Sequence, residues 1–175
     1  YKKMDNFIYQ YASPTYSREN FEQEFPGQNN PIQTDEEWAY SQARNGSSVD
    51  VYGVEIALQR QLDFLPGGFL KKMGVYLNYT YTHSKAKGIT DSEGNTRSKV
   101  ALPGTAPHIC NGSLSWENKR FSSRASLNFT SDYLDVLGEE EFYDSHYDKQ
   151  LFIDVNASCK RTPQLRIFAE ANNLS

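Results

Sequence analysis

The chain carries three histidines, His83, His108 and His146, and none of them is spaced with a nucleophile and an orienting acid as hydrolytic chemistry requires. Ser145 stands beside His146, but adjacency alone makes no catalytic pair, and no His-Glu-x-x-His run or cysteine cluster occurs. The sequence therefore reads as non-enzymatic, with no catalytic residue, no metal site and no cofactor. The run Glu139, Glu140 and Glu141, followed by Asp144, His146 and Asp148, offers hard oxygen ligands for a cation. It lacks calcium-loop spacing, and Gly138 precedes the run instead of turning inside it, so a solvated acidic loop is the expected reading.

Recognition by stacking is better represented. The aromatic residues Tyr16, Phe21, Phe25, Trp38 and Tyr40 are interspersed with the amides Gln23, Gln28, Asn29, Asn30 and Gln33. Rings that stack and amides that hydrogen-bond suit a sugar, a peptide or a chelate, and a connection of this length is usually functional or disordered. The five aromatics are the candidate ligand contacts. The alternative is that the segment packs on itself.

The elements that would carry such a loop follow from periodicity. Tyr52, Val54, Ile56 and Leu58 alternate with Gly53, Glu55, Ala57 and Gln59, and Met73, Val75, Leu77, Tyr79 and Tyr81 alternate with Gly74, Tyr76, Asn78, Thr80 and Thr82. Ala125, Leu127 and Phe129 oppose Arg124, Ser126, Asn128 and Thr130, while Leu151, Ile153, Val155, Ala157 and Cys159 oppose Asp154, Asn156, Ser158 and Lys160. Period two predicts strands. Seven runs emerge, near residues 2 to 12, 49 to 61, 70 to 84, 108 to 118, 121 to 134, 149 to 160 and 164 to 172. The first is ambiguous, because Phe7, Ile8 and Tyr9 are consecutive. Short connections at 62 to 69, 119 to 120 and 161 to 163 take turns with long ones at 13 to 48, 85 to 107 and 135 to 148.

That rhythm predicts an all-β, antiparallel up-and-down transmembrane β-barrel segment of seven strands, with turns on one rim and loops on the other. Strand length supports it. About 12 residues at ~3.3 Å span about 40 Å, and a tilt of about 45° leaves roughly 28 Å along a membrane normal. The mean hydropathy of -0.71 ordinarily marks a soluble protein, but a barrel shows lipid only every second strand residue. Twelve Tyr, 10 Phe and 2 Trp make 14% of the chain aromatic, a surplus that suits strands and interfacial girdles. Trp116 and Phe121 flank a short turn, and Tyr79 and Tyr81 lie toward a long loop. Glu55, Gln59, Asn78, Arg124, Asn128, Asp154 and Asn156 are expected on the lumen-facing side.

The net charge of -4 gives no nucleic-acid footprint. Its distribution is uneven: the long connections 13 to 48 and 135 to 148 are acidic, whereas the short ones hold or adjoin Lys71, Lys72, Lys119, Arg120, Lys160 and Arg161. Cys110 and Cys159 lie toward opposite ends of strands that have another strand between them, so free thiols are expected. Two further readings stay open: a soluble all-β ligand-binding module of carbohydrate type, and a passive porin-like channel.

The stretches YGVEIALQRQL (52 to 62), VYLNYTYTHS (75 to 84), LPGTAPH (102 to 108), NGSLSWE (111 to 117) and LRIFAEANNLS (165 to 175) resemble, in order and spacing, the C-terminal barrel portion of TonB-dependent receptors. Receptors of Bacteroidetes-type bacteria are the most similar. The motif residues are Gly53, Val54 and Glu55; Leu102, Pro103 and Gly104; and Asn172, Asn173 and Leu174. The resemblance covers the chain from residue 49 and, more loosely, residues 1 to 48. It implies a barrel of about 22 strands in the bacterial outer membrane, plugged by an N-terminal domain and importing a scarce nutrient such as a siderophore, cobalamin, glycan or peptide. Residues 1 to 175 would be part of that single barrel domain, with the plug and the last strand absent from the chain. The partners it implies are outer-membrane lipid, the TonB complex acting through the plug, the nutrient itself and a surface lipoprotein.

Overall fold

The computed structural model describes residues 1–91, 94–98, 100–138 and 140–174, with the side chains of Ser13 and Pro14 excepted. Glu139, of the acidic run above, lies outside the described residues. In chain order the elements are β1 (Lys2–Asp5), β2 (Ile8–Tyr16), α1 (Arg18–Glu24), β3 (Trp38–Asn45), β4 (Ser48–Gln61), β5 (Met73–Lys87), β6 (Ile89–Thr90), β7 (Thr96–Arg97), β8 (His108–Glu117), β9 (Phe121–Thr130), β10 (Tyr133–Val136), β11 (Ser145–Tyr147), β12 (Gln150–Lys160) and β13 (Arg166–Ala171). Seven of the strands form one sheet in the order β1-β4-β5-β8-β9-β12-β13, and β2-β3, β6-β7 and β10-β11 form three separate two-stranded ribbons. Among the described residues no helix is long and apolar enough to cross a membrane.

The chain divides into two compact units. One contains Tyr1–Tyr52, His83–Thr105 and Leu134–Tyr147; the other contains Gly53–Thr82, Ala106–Tyr133 and Asp148–Ser175. The second is a meander whose register aligns like with like. Leu151, Ile153 and Val155 stand opposite Phe129, Leu127 and Ala125. Leu114 pairs with Ala125 on one side and Val75 on the other. A slip of one residue would turn each apolar side chain to the other face, so this agreement across neighbouring strands fixes the register.

No second layer of protein within this unit covers that apolar face. Val54, Ile56 and Ile167 remain 60%, 58% and 55% exposed, and Leu58, Leu77, Leu114, Leu127, Leu151 and Val155 are exposed as well. The buried hydrophobic cluster is in the first unit instead, where Tyr9, Val49, Ala86, Ile89, Val100, Leu134 and Leu137 pack together with Met4, Phe7, Tyr11, Val51 and Leu102 around them. A soluble sandwich would bury the inner faces of its long strands. Here the residues of the long connections and strand ends hold the core.

Two expectations need correction. The first run is not one strand over 2 to 12: β1 pairs with β4 only from Lys2 to Asp5, and the chain then leaves the sheet. Asn6 takes a left-handed conformation (φ 56°), which Asn tolerates better than most residues. Residues 13 to 48 are also not a plain loop, because β2 pairs with β3 from Ile8↔Asn45 to Tyr16↔Trp38. The cysteines are free, as the strand order requires, with Cys110 on β8 and Cys159 on β12.

Candidate ligand-binding loops and polar wall

The β2-β3 ribbon and α1 position the five aromatic candidates. Helix α1 starts where Ser17 accepts the Asn20 amide in N-cap geometry, and an Arg18–Glu22 ion pair of 2.9 Å spans one of its turns. Pro26 follows its last turn. The helix carries Glu24 to the ribbon, where Tyr16 and Tyr40 stack at 4.3 Å and both point their hydroxyls at that carboxylate. Tyr16 Oη donates to Glu24 Oε2 at 2.6 Å and Tyr40 Oη to Oε1 at 3.2 Å. Burial pushes the Tyr16 phenol up to about 12, with the Glu24 hydrogen bond adding to the shift. Burial and the same carboxylate raise Tyr40 too. Phe21 and Phe25 pair at 5.1 Å. Trp38 stands apart from these pairs, half-exposed, and its indole N–H donates to Glu36 at 3.3 Å.

Three ring groups thus result: a stacked tyrosine pair, a phenylalanine pair and a single accessible tryptophan. Beside Trp38's partner, a depression of about 440 Å³ is lined by Ser17, Arg18, Glu19, Thr34, Asp35, Glu36 and Glu37. Some of the amides are occupied internally, since Asn30 Nδ2 donates to the Arg18 carbonyl at 3.0 Å. Trp38 is the most exposed of the five rings.

A pair that the sequence did not nominate organises another part of the same unit. Arg97 of β7 forks onto Asp144, with Nη1 to Oδ1 at 2.9 Å and Nη2 to Oδ2, and the two side chains are only 10% and 7% exposed. Asp144 Oδ1 also accepts the Gly138 amide at 2.9 Å. The hydrogen bond it donates to Asp144 raises the Arg97 guanidinium above its ordinary value. Around the pair lies a cavity of about 600 Å³, with Asp91, Glu141 and His146 among its lining. The cation reading of the acidic run is weakened accordingly: Asp144 serves an arginine, Glu139 lies outside the described residues, and no group of three or more metal-ligating residues converges among the described residues. Nor is Asp144 solvated. The available signal was the set of cations in the connection 85 to 107, Lys85, Lys87, Arg97 and Lys99, against a long connection, 135 to 148, that contains no Lys or Arg.

The seven residues expected on the lumen side share one face of the sheet. Asn78 Nδ2 donates to Glu55 at 2.8 Å, and Gln61 lies against Gly74, which sets the odd-numbered positions of β4 on the face that carries Asn78. From there the ladder runs Asn78↔Asn111, Asn111↔Asn128 and Arg124↔Asn156. Asp154, two residues from Asn156, accepts the Asn173 amide at 3.0 Å. A shallow depression of about 450 Å³ on this face includes Gln59, Gln61, Tyr76, Ser113, Ser115 and Arg124. Phe152 and Phe168 interrupt its polarity.

Aromatics mark both ends of the strands in this unit. Tyr79 Oη meets His108 Nδ1 at 2.8 Å with Tyr81 alongside, and at the other end Trp116 packs between Phe69 (5.2 Å) and Phe121 (5.7 Å). From His108 to Trp116, eight positions along β8, roughly 26 Å of strand gives roughly 20 Å of height at a tilt of ~40°, a little under the ~25 Å apolar band of a bacterial barrel.

Comparison with known proteins agrees with this geometry. Two solved mutant forms of the ferric enterobactin receptor of Pseudomonas aeruginosa share the fold at TM-scores of 0.50 and 0.50, with 14% and 15% identity. Each match covers 97% of this chain and 22% of the receptor, so the chain spans about a fifth of the length of these structures. No curated protein matches the chain. The family model for the TonB dependent receptor-like β-barrel matches residues 1–174. With that match over an antiparallel meander whose apolar side is uncovered, the chain belongs to the TonB-dependent receptor β-barrel family.

Proposed function

We propose that this chain is wall and outer loops of an energy-coupled importer in the bacterial outer membrane. The observation that carries the reading is the division of apolar residues: Val54, Ile56, Leu114, Leu127 and Ile167 stay exposed on one face of long strands, while the buried cluster belongs to the other unit. Lipid would cover that face, and Glu55, Gln59, Asn78, Arg124, Asn128, Asp154 and Asn156 would look into a solvated lumen. Residues 1 to 175 would be part of a single barrel domain completed by a plug and further strands outside the chain. The ribbon carrying Tyr16, Phe21, Phe25, Trp38 and Tyr40 would meet the nutrient first, with Trp38 as the stacking surface and the two tyrosines as its support. A plug moved by the TonB complex would then release the cargo inward, and a surface lipoprotein would deliver it.

The cargo class is a scarce nutrient too large for passive pores: a siderophore, cobalamin, a glycan or a peptide. The two similar structures are named as receptors for ferric enterobactin, which keeps iron chelates in that set. Membership among receptors of Bacteroidetes-type bacteria rests on Gly53-Val54-Glu55, Leu102-Pro103-Gly104 and Asn172-Asn173-Leu174 in their order.

Extraction and uptake test the reading together. The whole receptor is expected to leave membranes only with detergent, and nutrient accumulation is expected to stop when the TonB complex is deleted. A monodisperse monomer without detergent would instead mean a soluble binding module. Accumulation that persists without TonB would mean a passive channel.

A further inference from the structure

We propose that the rim formed by the three short turns docks on anionic phospholipid headgroups. The argument begins with the turn at 62–72, whose composition a simple chain reversal does not need. Pro66, Gly67 and Gly68 make the bend, yet Phe64 and Phe69 stand 62% and 61% exposed and Leu70 is exposed as well, immediately before Lys71 and Lys72. The neighbouring turns continue the pattern with Lys119 and Arg120, then Lys160, Arg161 and the exposed Leu165.

These turns form one strip. Trp116 Nε1 donates to the Phe69 carbonyl at 3.0 Å, joining the first turn to the second, and the Lys160 amide donates to the Arg120 carbonyl at 2.6 Å, joining the second to the third. The second turn is held in shape by Asn118, whose side-chain oxygen accepts the amides of Arg120 and Phe121, both at 2.8 Å. Among the described residues, none of the cations Lys71, Lys72, Lys119, Arg120, Lys160 and Arg161 takes part in an ion pair. Lys72 instead lies 5.9 Å over the Trp116 ring, and Arg60 lies 5.3 Å over Phe64.

Exposed rings and leucines interleaved with uncompensated cations fit a headgroup boundary. The rings settle at the edge of the acyl layer, and the long basic side chains reach outward to phosphate. Charge complementarity makes that phosphate part of an anionic lipid, each cation near such a surface contributing about fivefold in binding. The strip is also continuous with Trp116 and Phe121 on the apolar face. This inference rests on the membrane reading above.

The test uses the whole receptor in a neutral detergent, supplied with phosphatidylglycerol or phosphatidylcholine, with bound lipids counted by native mass spectrometry. At least about fivefold preferential retention of phosphatidylglycerol is expected. Lys71→Gln with Lys72→Gln, and separately Lys119→Gln with Arg120→Gln, are each expected to reduce it, whereas Lys71→Arg with Lys72→Arg keeps it; heat-shifted gel migration verifies that each variant folds. Equal retention of both lipids overturns the proposal. So does a full preference in both neutralised variants, or displacement of phosphatidylglycerol by a soluble polyglutamate peptide, which would make the strip a site for an acidic protein segment. A receptor that needs no detergent sinks the membrane reading itself, a separate result.

Discussion

Glu24 accepts hydrogen bonds from two stacked phenols, and each hydroxyl would need another partner if the carboxylate were removed. Tyr16→Phe keeps the ring stack and deletes one bond, so a loss of about 1 kcal/mol in ribbon stability is expected, read as earlier thermal protease cleavage of the loop. The raised phenol also sets a pH dependence. Folding favours neutral Tyr16, so its contribution is complete below the ordinary tyrosine value near 10 and disappears as pH rises through about 12. Ultraviolet phenolate titration is expected to show a late-ionising component near 12 that is lost in Tyr16→Phe, beside the smaller upward shift of Tyr40. Arg97→Gln leaves the Asp144 carboxylate buried without its cation, a change expected to cost about 3 kcal/mol; the added Asp144→Asn substitution is expected to recover much of it, measured by thermal melts. Sequence placed Tyr16 and Tyr40 in one long aromatic connection but could not pair them. Their shared acceptor lies on α1, and its approach depends on tertiary packing that no local spacing encodes.

At the scale of elements, the Gly53 of the family motif has a specific physical reason. A Cβ there would come within 2.2 Å of the Tyr81 carbonyl oxygen, a backbone atom that cannot swing aside. Gly74 differs, because its nearest neighbours are the movable ends of Gln61 (2.6 Å) and Ser115 (2.7 Å). Gly53→Ala is therefore expected to reduce the assembled, heat-shifted receptor several-fold in a membrane fraction, and Gly74→Ala to reduce it little. The long strands β4, β5, β8, β9 and β12 were readable because period two persists over ten or more residues in each. The first run was not. Phe7 and Tyr9 both join the buried cluster while Ile8 between them is 71% exposed, so an inverted alternation looked like an unbroken apolar run. Asn6 was the local sign of the break, and a single Asn is too common to announce one.

Across the whole molecule, neighbouring positions on β9 separate the two environments. Leu127→Arg puts a cation on the apolar face near the middle of a strand, where about 2 to 4 kcal/mol of destabilisation is expected, whereas Asn128→Arg on the other face is expected to leave the folded receptor's yield nearly unchanged. Equal tolerance of both substitutions in a membrane-fraction assay would remove lipid from that face. The alternation that assigned the faces was legible because a strand turns every second residue to the same face. The core was not, since it is assembled from Val49, Ala86, Ile89, Val100 and Leu134, drawn from three separate stretches of chain that show no shared period.

That cluster has a consequence for how such receptors diversify. Cutting out or replacing any one of the three stretches would leave the others with greasy surface facing water, so a single connection exchanged between relatives is expected to destabilise the unit. Chimeras between relatives should succeed when all three travel as a set and fail when one is grafted alone.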